Sequence, residues 1–200
     1  IVYHYFAHYR EPVAHVLCAQ QPPLPQYTLM SGRASNISGL KTIDPALADI
    51  PVEKGGLRWR FVRNVWFGPL FLWQTGMSRL ALSREFDTII YLGNRAFLST
   101  WVSVLLARLR GKRTLMWGHG FRRDRKGLKG LTNVLFQKLA HGLLLYGNRA
   151  RQIALTKGFR DENLYVVFNS LDYDAQKRLC SEVTDDDIAT VKRKHFEQPD

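Results

Sequence analysis

Lys112-Arg-Thr-Leu-Met-Trp-Gly-His-Gly120 places a short apolar run directly before a histidine that lies between two glycines. The run Thr114–Trp117 predicts a buried strand, and the glycines mark its end. Similar short apolar runs occur on both sides along the chain, and longer helical patterns separate them. This alternation predicts an α/β fold with a doubly wound, mostly parallel sheet of Rossmann-like type.

The same patterns predict the individual elements along the chain. Strands are expected at Ile1–Phe6, Gln26–Met30, Leu57–Arg63, Asp87–Leu92, Thr114–Trp117, Leu143–Tyr146 and Leu164–Phe168. Helices are expected at Pro12–Cys18, Ala96–Leu109, Leu128–Ala140, Asn148–Lys157, Asp172–Cys180 and Asp185–His195, with helical spacing also across Val65–Ser83. The polar, glycine-containing segment Ser31–Asp44 is expected to be a long loop.

Composition indicates a folded intracellular domain. The chain has 200 residues and is 46% hydrophobic, which suits one packed domain or one half of a two-domain enzyme. Cys18 and Cys180 lie far apart and match neither a disulfide framework nor a zinc motif, so we expect reduced thiols in a cytoplasmic protein. No apolar run is long enough to predict a spanning helix or a signal peptide.

The net charge of +12 predicts an anionic partner, which charge alone does not identify. Leu128, Leu131, Leu135 and Leu139 share one face of a predicted helix, which indicates mainly core packing beside a basic surface. That basic surface is predicted as one belt, opposed only by Asp124. Its members are Arg108, Arg110, Lys112, Arg113, Arg122, Arg123, Arg125, Lys126 and Lys129.

The strand ends predict a ligand site, because open α/β sheets bind ligands beyond the carboxyl ends of their strands. Glycine amides and guanidinium groups bind oxyanions, and an imidazole can bond or deprotonate a hydroxyl. We therefore predict a site for a phosphate- or sugar-bearing ligand, with His119 as the catalytic candidate. The predicted substrate-binding residues are Gly118, Gly120, Arg122, Arg123 and Asn94, with His8, Arg10 and Glu11 in second rank.

Two phosphate-binding motifs are excluded by residue identity or spacing. Gly118-His-Gly-Phe-Arg-Arg123 begins like a dinucleotide fingerprint, but Arg123 stands where a third glycine is needed, so no NAD cofactor is expected. Gly32–Gly39 resembles a phosphate-binding loop, yet its glycines are too widely spaced and Leu40 precedes Lys41.

Metal binding is not expected either. His4, His8 and His15 lack further ligands at zinc spacing. The carboxylate pairs Asp172–Asp174 and Asp185–Asp187 have the form of divalent-ion ligands, but each precedes a helix, where acidic N-caps are common.

Five short motifs occur in an order that resembles one enzyme family. They are Tyr9-Arg-Glu-Pro12, Tyr91-Leu-Gly-Asn94, Trp117-Gly-His-Gly120, Tyr146-Gly147 and Val167-Phe-Asn-Ser-Leu-Asp172. Together they resemble the N-terminal half of retaining GT-B glycosyltransferases of the group 1 / family 4 type, with Ser170 in place of the usual glycine.

The resemblance implies that residues 1–184 form a lobe that binds the acceptor. Residues 185–200 would form a helix and a linker toward a C-terminal donor-binding lobe, which is absent from this sequence. The resemblance also implies metal-independent transfer from a nucleotide sugar to a polysaccharide, glycolipid or other cell-envelope acceptor, with His119 facing the cleft. The lobe alone would have little transferase activity. We also expect the protein to make peripheral contact with the inner, anionic face of the membrane.

Two other readings remain open from the residues. The chain is alternatively a non-catalytic basic α/β module that binds anionic membrane or nucleic acid, although no nucleic-acid motif is present. A metal-dependent GT-A transferase would use Asp172 and Asp174, which lie late in the chain for that role.

Overall fold

A computed structural model describes residues 1–35, 38–169 and 173–196 of the chain. The predicted positions Ser170 and Asp172 therefore lie outside the described residues. The strands are β1 (Leu29–Ser31), β2 (Trp59–Phe61), β3 (Asn64–Phe67), β4 (Phe71–Gln74), β5 (Thr88–Leu92), β6 (Arg113–Gly118), β7 (Gly142–Leu145) and β8 (Leu164–Val166). The helices are α1 (Glu11–Cys18), α2 (Met77–Leu82), α3 (Leu98–Leu109), α4 (Gly127–Lys138), α5 (Asn148–Thr156), α6 (Tyr173–Glu182) and α7 (Asp185–His195).

The sheet is parallel and alternates with helices, which confirms the predicted Rossmann-like α/β fold. Strands β5, β6, β7 and β8 are neighbours in that order, and β1 pairs with β2. Val2 joins the two parts through parallel bridges to Met30 and Tyr91. The predicted first strand Ile1–Phe6 thus lies at the centre of the sheet, but it pairs with its neighbours only through these two bridges of Val2. The strand order reverses here, between Val2 and β5.

Side chains alternate between two cores on opposite faces of the sheet. Tyr91 and Met116 belong to one buried cluster, which also contains residues of α2, α3, α4 and α5. Leu92 and Trp117, the next residues along β5 and β6, pack with the second cluster under α1. The period of two along each strand explains this division. Helices on both faces make the sheet doubly wound.

The prediction of helical spacing across Val65–Ser83 is wrong for its first half. Residues 64–74 form an antiparallel hairpin of β3 and β4, and only Met77–Leu82 is helical. Gly68 adopts φ 61° at the turn, and Pro69 follows it. A left-handed glycine followed by proline stops a helix, and the aromatic and β-branched residues on either side favour strands.

Three of the four leucines predicted to pack in the core are exposed, and only Leu139, directly after α4, packs against the buried cluster. Leu128, Leu131 and Leu135 are 81%, 54% and 52% exposed. The helix buries its other side, through Gly130, Phe136 and Gln137. Periodicity correctly indicated an apolar stripe but not which side of the helix meets the sheet.

The predicted single basic belt is in fact two groups at opposite ends of β6. Arg113 begins that strand, whereas Arg122 follows its far end. Lys112 is buried, and its Nζ donates to the carbonyl oxygen of Phe86 at 2.7 Å. Only the second group, from Arg122 onward, lies at the carboxyl edge of the sheet.

The C-terminal helices carry no buried residue among those described. Helix α7 is capped by Thr184, whose side chain accepts from the amide of Asp187, rather than by Asp185 as the acidic-cap reading expects. Within the described parts of the chain, no helix is long and apolar enough to cross a lipid bilayer. Cys18 and Cys180 are both free thiols.

Candidate functional site

A cavity of about 390 Å³ opens at the carboxyl ends of β5 and β6, as the strand pattern predicts for a ligand site. It lies beside the point where the strand order reverses. Asn94 borders it on one side, and its Oδ1 accepts from the amide of Ala96 at 3.1 Å. Six of the predicted site residues line this cavity: Asn94, Gly118, His119, Gly120, Arg122 and Arg123.

The cavity wall is strongly cationic. Among the residues that the structure describes, no carboxylate forms an ion pair with Arg95, Arg122, Arg123, Arg125 or Lys129. A further cation, Lys157, is neutralised by Asp124, since its Nζ lies 2.5 Å from Asp124 Oδ1. Arg95 and Lys157 were not predicted, because they come from the loop after β5 and the residue after α5, both distant in sequence from the Gly118–Gly120 segment.

Glycines let the backbone approach closely behind the site. Gly120 adopts φ 52°, and a Cβ there would lie 2.6 Å from Leu145 Cδ2. Asn133 of α4 donates to the carbonyl oxygen of Gly120 at 3.2 Å, which ties the loop to the helix. At Gly130, a Cβ would lie 2.0 Å from the carbonyl oxygen of Arg125. The loop after β6 is therefore folded tightly onto the start of α4.

The start of α4 adds a favourable dipole to this wall. Its N-cap residue, Lys126, makes no side-chain cap hydrogen bond, and no acidic residue lies in the first turn. The positive end of a helix favours anions. Backbone and side chains thus contribute charge of the same sign.

His119 lies on the border between this cavity and a smaller one of about 180 Å³ at the start of α5. Its ring packs nearly perpendicular to that of Tyr146, with 4.9 Å between centroids and an interplanar angle of 85°. Partial burial lowers the pKa of His119, and the positive charges of Arg122 and Arg10 lower it further. The imidazole is consequently neutral at pH 7 and can accept a hydrogen bond or a proton.

Arg10 lies at the same sheet edge, although it does not line the larger cavity. Its Nη2 donates to Tyr146 Oη at 2.8 Å and to Asn169 Oδ1 at 3.1 Å. Its guanidinium group packs over the rings of Tyr3 and Trp117 at 5.4 and 5.7 Å. Arg10 therefore influences His119 in two ways. It holds Tyr146, whose ring packs against the imidazole, and its positive charge lowers the pKa of His119.

The other two second-rank predictions lie away from the cavity. Glu11 faces His15 along α1, with 3.7 Å between Oε1 and Nε2. His8 Nδ1 lies 3.2 Å from the carbonyl oxygen of Lys41. Neither residue lines the cavity beside His119.

The aromatic support of the site was missed by sequence reasoning. Tyr3, Trp117 and Tyr146 surround Arg10. Tyr3 follows the bridge residue Val2, Trp117 lies in β6 and Tyr146 follows β7, so no local spacing connects them. The indole nitrogen of Trp117 is buried without a hydrogen-bond partner in the described residues. The only signal in the sequence that these residues could lie together was their position near the ends of neighbouring parallel strands.

The combined arrangement can hold an oxyanion next to a hydroxyl that a neutral imidazole contacts. No protein-family model and no curated protein matches the chain. The case for a function therefore depends on this geometry. No three His, Cys, Asp or Glu side chains come together as potential metal ligands in residues 1–35, 38–169 and 173–196.

Proposed function

We propose that the chain is the acceptor-binding N-terminal lobe of a retaining, metal-independent glycosyltransferase. The enzyme moves a sugar from a nucleotide-sugar donor to a polysaccharide, glycolipid or other cell-envelope acceptor, on the cytoplasmic side of the membrane. One observation carries the proposal: a cavity at the mouth of a Rossmann-like sheet combines unpaired arginines with a neutral histidine. Sugar phosphates need this pairing of anion binding and hydroxyl recognition.

The residues divide into two roles. Arg122 and Arg123 bind phosphate oxygens, because a guanidinium group offers paired donors to an oxyanion. His119 contacts a sugar hydroxyl near the reacting centre, and its lowered pKa leaves a ring nitrogen able to accept. Gly118 and Gly120 allow the acceptor to approach the backbone.

Anion binding is testable with this chain and inorganic pyrophosphate as the probe. The double variant Arg122→Ala/Arg123→Ala should bind pyrophosphate at least about tenfold more weakly by isothermal titration calorimetry, since charge-assisted hydrogen bonds are lost. Arg110→Ala is the matched control, because it removes a cation from the opposite end of β6. Equal losses in both variants would show general charge attraction instead of a site.

The role of His119 requires sugar transfer by the full-length protein. We expect His119→Ala to lower turnover of a nucleotide sugar by a factor of about 10² or more, with pyrophosphate binding by the chain unchanged. Wild-type turnover in that variant would disprove the role assigned to His119.

A basic nucleic-acid-binding module is the second candidate, favoured by the net charge of +12. The logarithm of its affinity for duplex DNA would fall linearly with the logarithm of the salt concentration. The slope would be roughly −0.9 for each phosphate that the protein neutralises. A gel-shift experiment at low salt separates the candidates, because the transferase lobe is expected to leave DNA unshifted.

A further inference from the structure

Helices α3 and α4 present aliphatic side chains to solvent on the side opposite the sheet. In α3 the buried residues Ser103, Val104 and Ala107 face the core, and a stripe of leucine and valine lies opposite them. In α4 the stripe lies opposite Phe136 and Gln137. The leucine face is defined as the exposed residues Leu98, Val102, Leu105 and Leu109 of α3 and Leu128, Leu131 and Leu135 of α4.

The two stripes lie side by side on one surface. Trp101 of α3 and Phe136 of α4 pack with 4.9 Å between ring centroids. Arg108 Nη1 donates to the carbonyl oxygen of Leu139 at 3.0 Å, directly after α4. Helices in contact on one face of a sheet expose neighbouring outer surfaces, so we infer that the two stripes adjoin.

The hairpin of β3 and β4 adjoins the start of α3 and carries exposed aromatic residues of its own. It is joined to the start of α3, because the amide of Leu72 donates to the carbonyl oxygen of Ala96 at 3.1 Å. Leu72 and Gln74 point inward and are buried. The outward residues are exposed large apolar side chains: Phe67, Leu70, Phe71 and Trp73.

The charge around the leucine face is mainly positive, although exposed Asp87 lies near Arg110 at the end of α3. From residue 88 to residue 160 the chain contains a single carboxylate, Asp124, and its Oδ1 is paired with Lys157. Exposed Arg108, Arg110 and Lys138 flank the leucines. A surface that is aliphatic at its centre and basic around it matches the two attractions of an anionic bilayer, acyl chains and headgroups.

We propose that the leucine face docks on an anionic lipid bilayer. Its leucines enter the boundary between headgroups and acyl chains, while the flanking cations contact lipid phosphates. A second copy of this chain fits less well, because a symmetric pair would bring two basic rims together. Nucleic acid would leave the leucines unused, since it offers phosphates but no apolar surface of matching extent.

The proposal does not depend on sugar transfer, and its test needs no activity. Helix α4 connects the two regions, because Leu128 belongs to the leucine face and Lys129 lines the cavity. Docking would therefore place the cavity beside the membrane surface.

The experiment is vesicle flotation of the whole chain with two lipid compositions, phosphatidylcholine alone and a mixture of phosphatidylcholine and phosphatidylglycerol. We expect binding to the anionic mixture only. The variant Leu105→Gln/Leu109→Gln/Leu128→Gln/Leu131→Gln should bind at least about tenfold more weakly, because buried aliphatic groups drive insertion. The matched control changes four exposed aliphatic residues of the C-terminal segment: Leu179→Gln/Val183→Gln/Ile188→Gln/Val191→Gln.

Circular dichroism melting of both variants checks folding, and these exposed positions should leave it intact. Absence of wild-type flotation, equal binding to neutral vesicles, or equal loss in the control would each overturn the proposal. A dimer that the leucine variant dissociates in analytical ultracentrifugation, without flotation of the wild type, would assign the face to self-association instead.

Discussion

His119 is the residue at which charge and burial act in the same direction. Burial lowers its pKa, and Arg122 and Arg10 lower it further. The neutral imidazole therefore persists to lower pH than it does in an ordinary histidine. A group that must accept a proton or a hydrogen bond benefits from this.

Removing one neighbouring charge should reverse part of the shift. We expect Arg122→Gln to raise the pKa of His119, because a positive charge that disfavours the imidazolium is lost. The measurement is an NMR titration of the His119 ring signals, with Arg110→Gln as a control at the far end of β6. An unchanged His119 titration in Arg122→Gln would contradict the assigned cause.

Some contacts of the site could be predicted from the sequence and others could not. His119, Arg122 and Arg123 are adjacent in the chain, so their grouping was predictable. Arg10 was predicted only in second rank and Tyr146 not at all as a ligand contact. Their 2.8 Å hydrogen bond joins residues that are 136 positions apart in the chain, which no local pattern reveals.

At the scale of elements, the loop after β6 depends on the conformation of its glycines. Gly120→Ala should destabilise the protein by about 1–3 kcal/mol, because it combines a left-handed backbone with a methyl group 2.6 Å from Leu145 Cδ2. Gly111 has a similar φ of 72° but no atom within 4 Å of the added methyl group. Gly111→Ala should therefore cost only about 1 kcal/mol.

Chemical denaturation of both glycine variants measures the difference, and pyrophosphate titration reports on the cavity. We expect weaker pyrophosphate binding in Gly120→Ala alone. Equal losses of stability in the two variants would show that backbone strain, not close packing against β7, is what constrains Gly120.

The hairpin of residues 64–74 shows why one element was mistaken. Apolar residues at helical spacing occur there, but Gly68 and Pro69 interrupt any helix. Pairing between β3 and β4 and contact with the start of α3 supply the stability that a short hairpin lacks alone. Tertiary contacts outweighed the local spacing.

At the scale of the whole molecule, several elements together partly bury His4. Its ring contacts Tyr5, Trp66 and Phe97, and its Nδ1 has no hydrogen-bond partner in the described part of the chain. Burial lowers the pKa of His4 to about 4, from 6.5. The unfolded chain therefore takes up this proton more readily than the folded protein.

It follows that acid destabilises the fold through His4. The free energy of unfolding should fall as the pH drops below about 6.5 and level off near pH 4, with a slope of at most about 1.4 kcal/mol per pH unit from this group. His4→Phe should remove that contribution, whereas the exposed-site control His195→Gln should retain it. Denaturant unfolding between pH 4 and pH 8 is the measurement, and an identical slope in His4→Phe would rule out this cause.

The chain's alternation of short apolar runs and helices was sufficient for the parallel α/β class, because periodicity and turn residues are local properties. It also placed His119 at a strand end, where such sheets bind ligands. Three features required the folded chain: the separation of the basic residues to both ends of β6, the outward orientation of Leu128, Leu131 and Leu135, and the contact of Arg10 with Tyr146. Each depends on which strands become neighbours and which side of a helix meets the sheet, and those are set by packing between segments far apart in sequence.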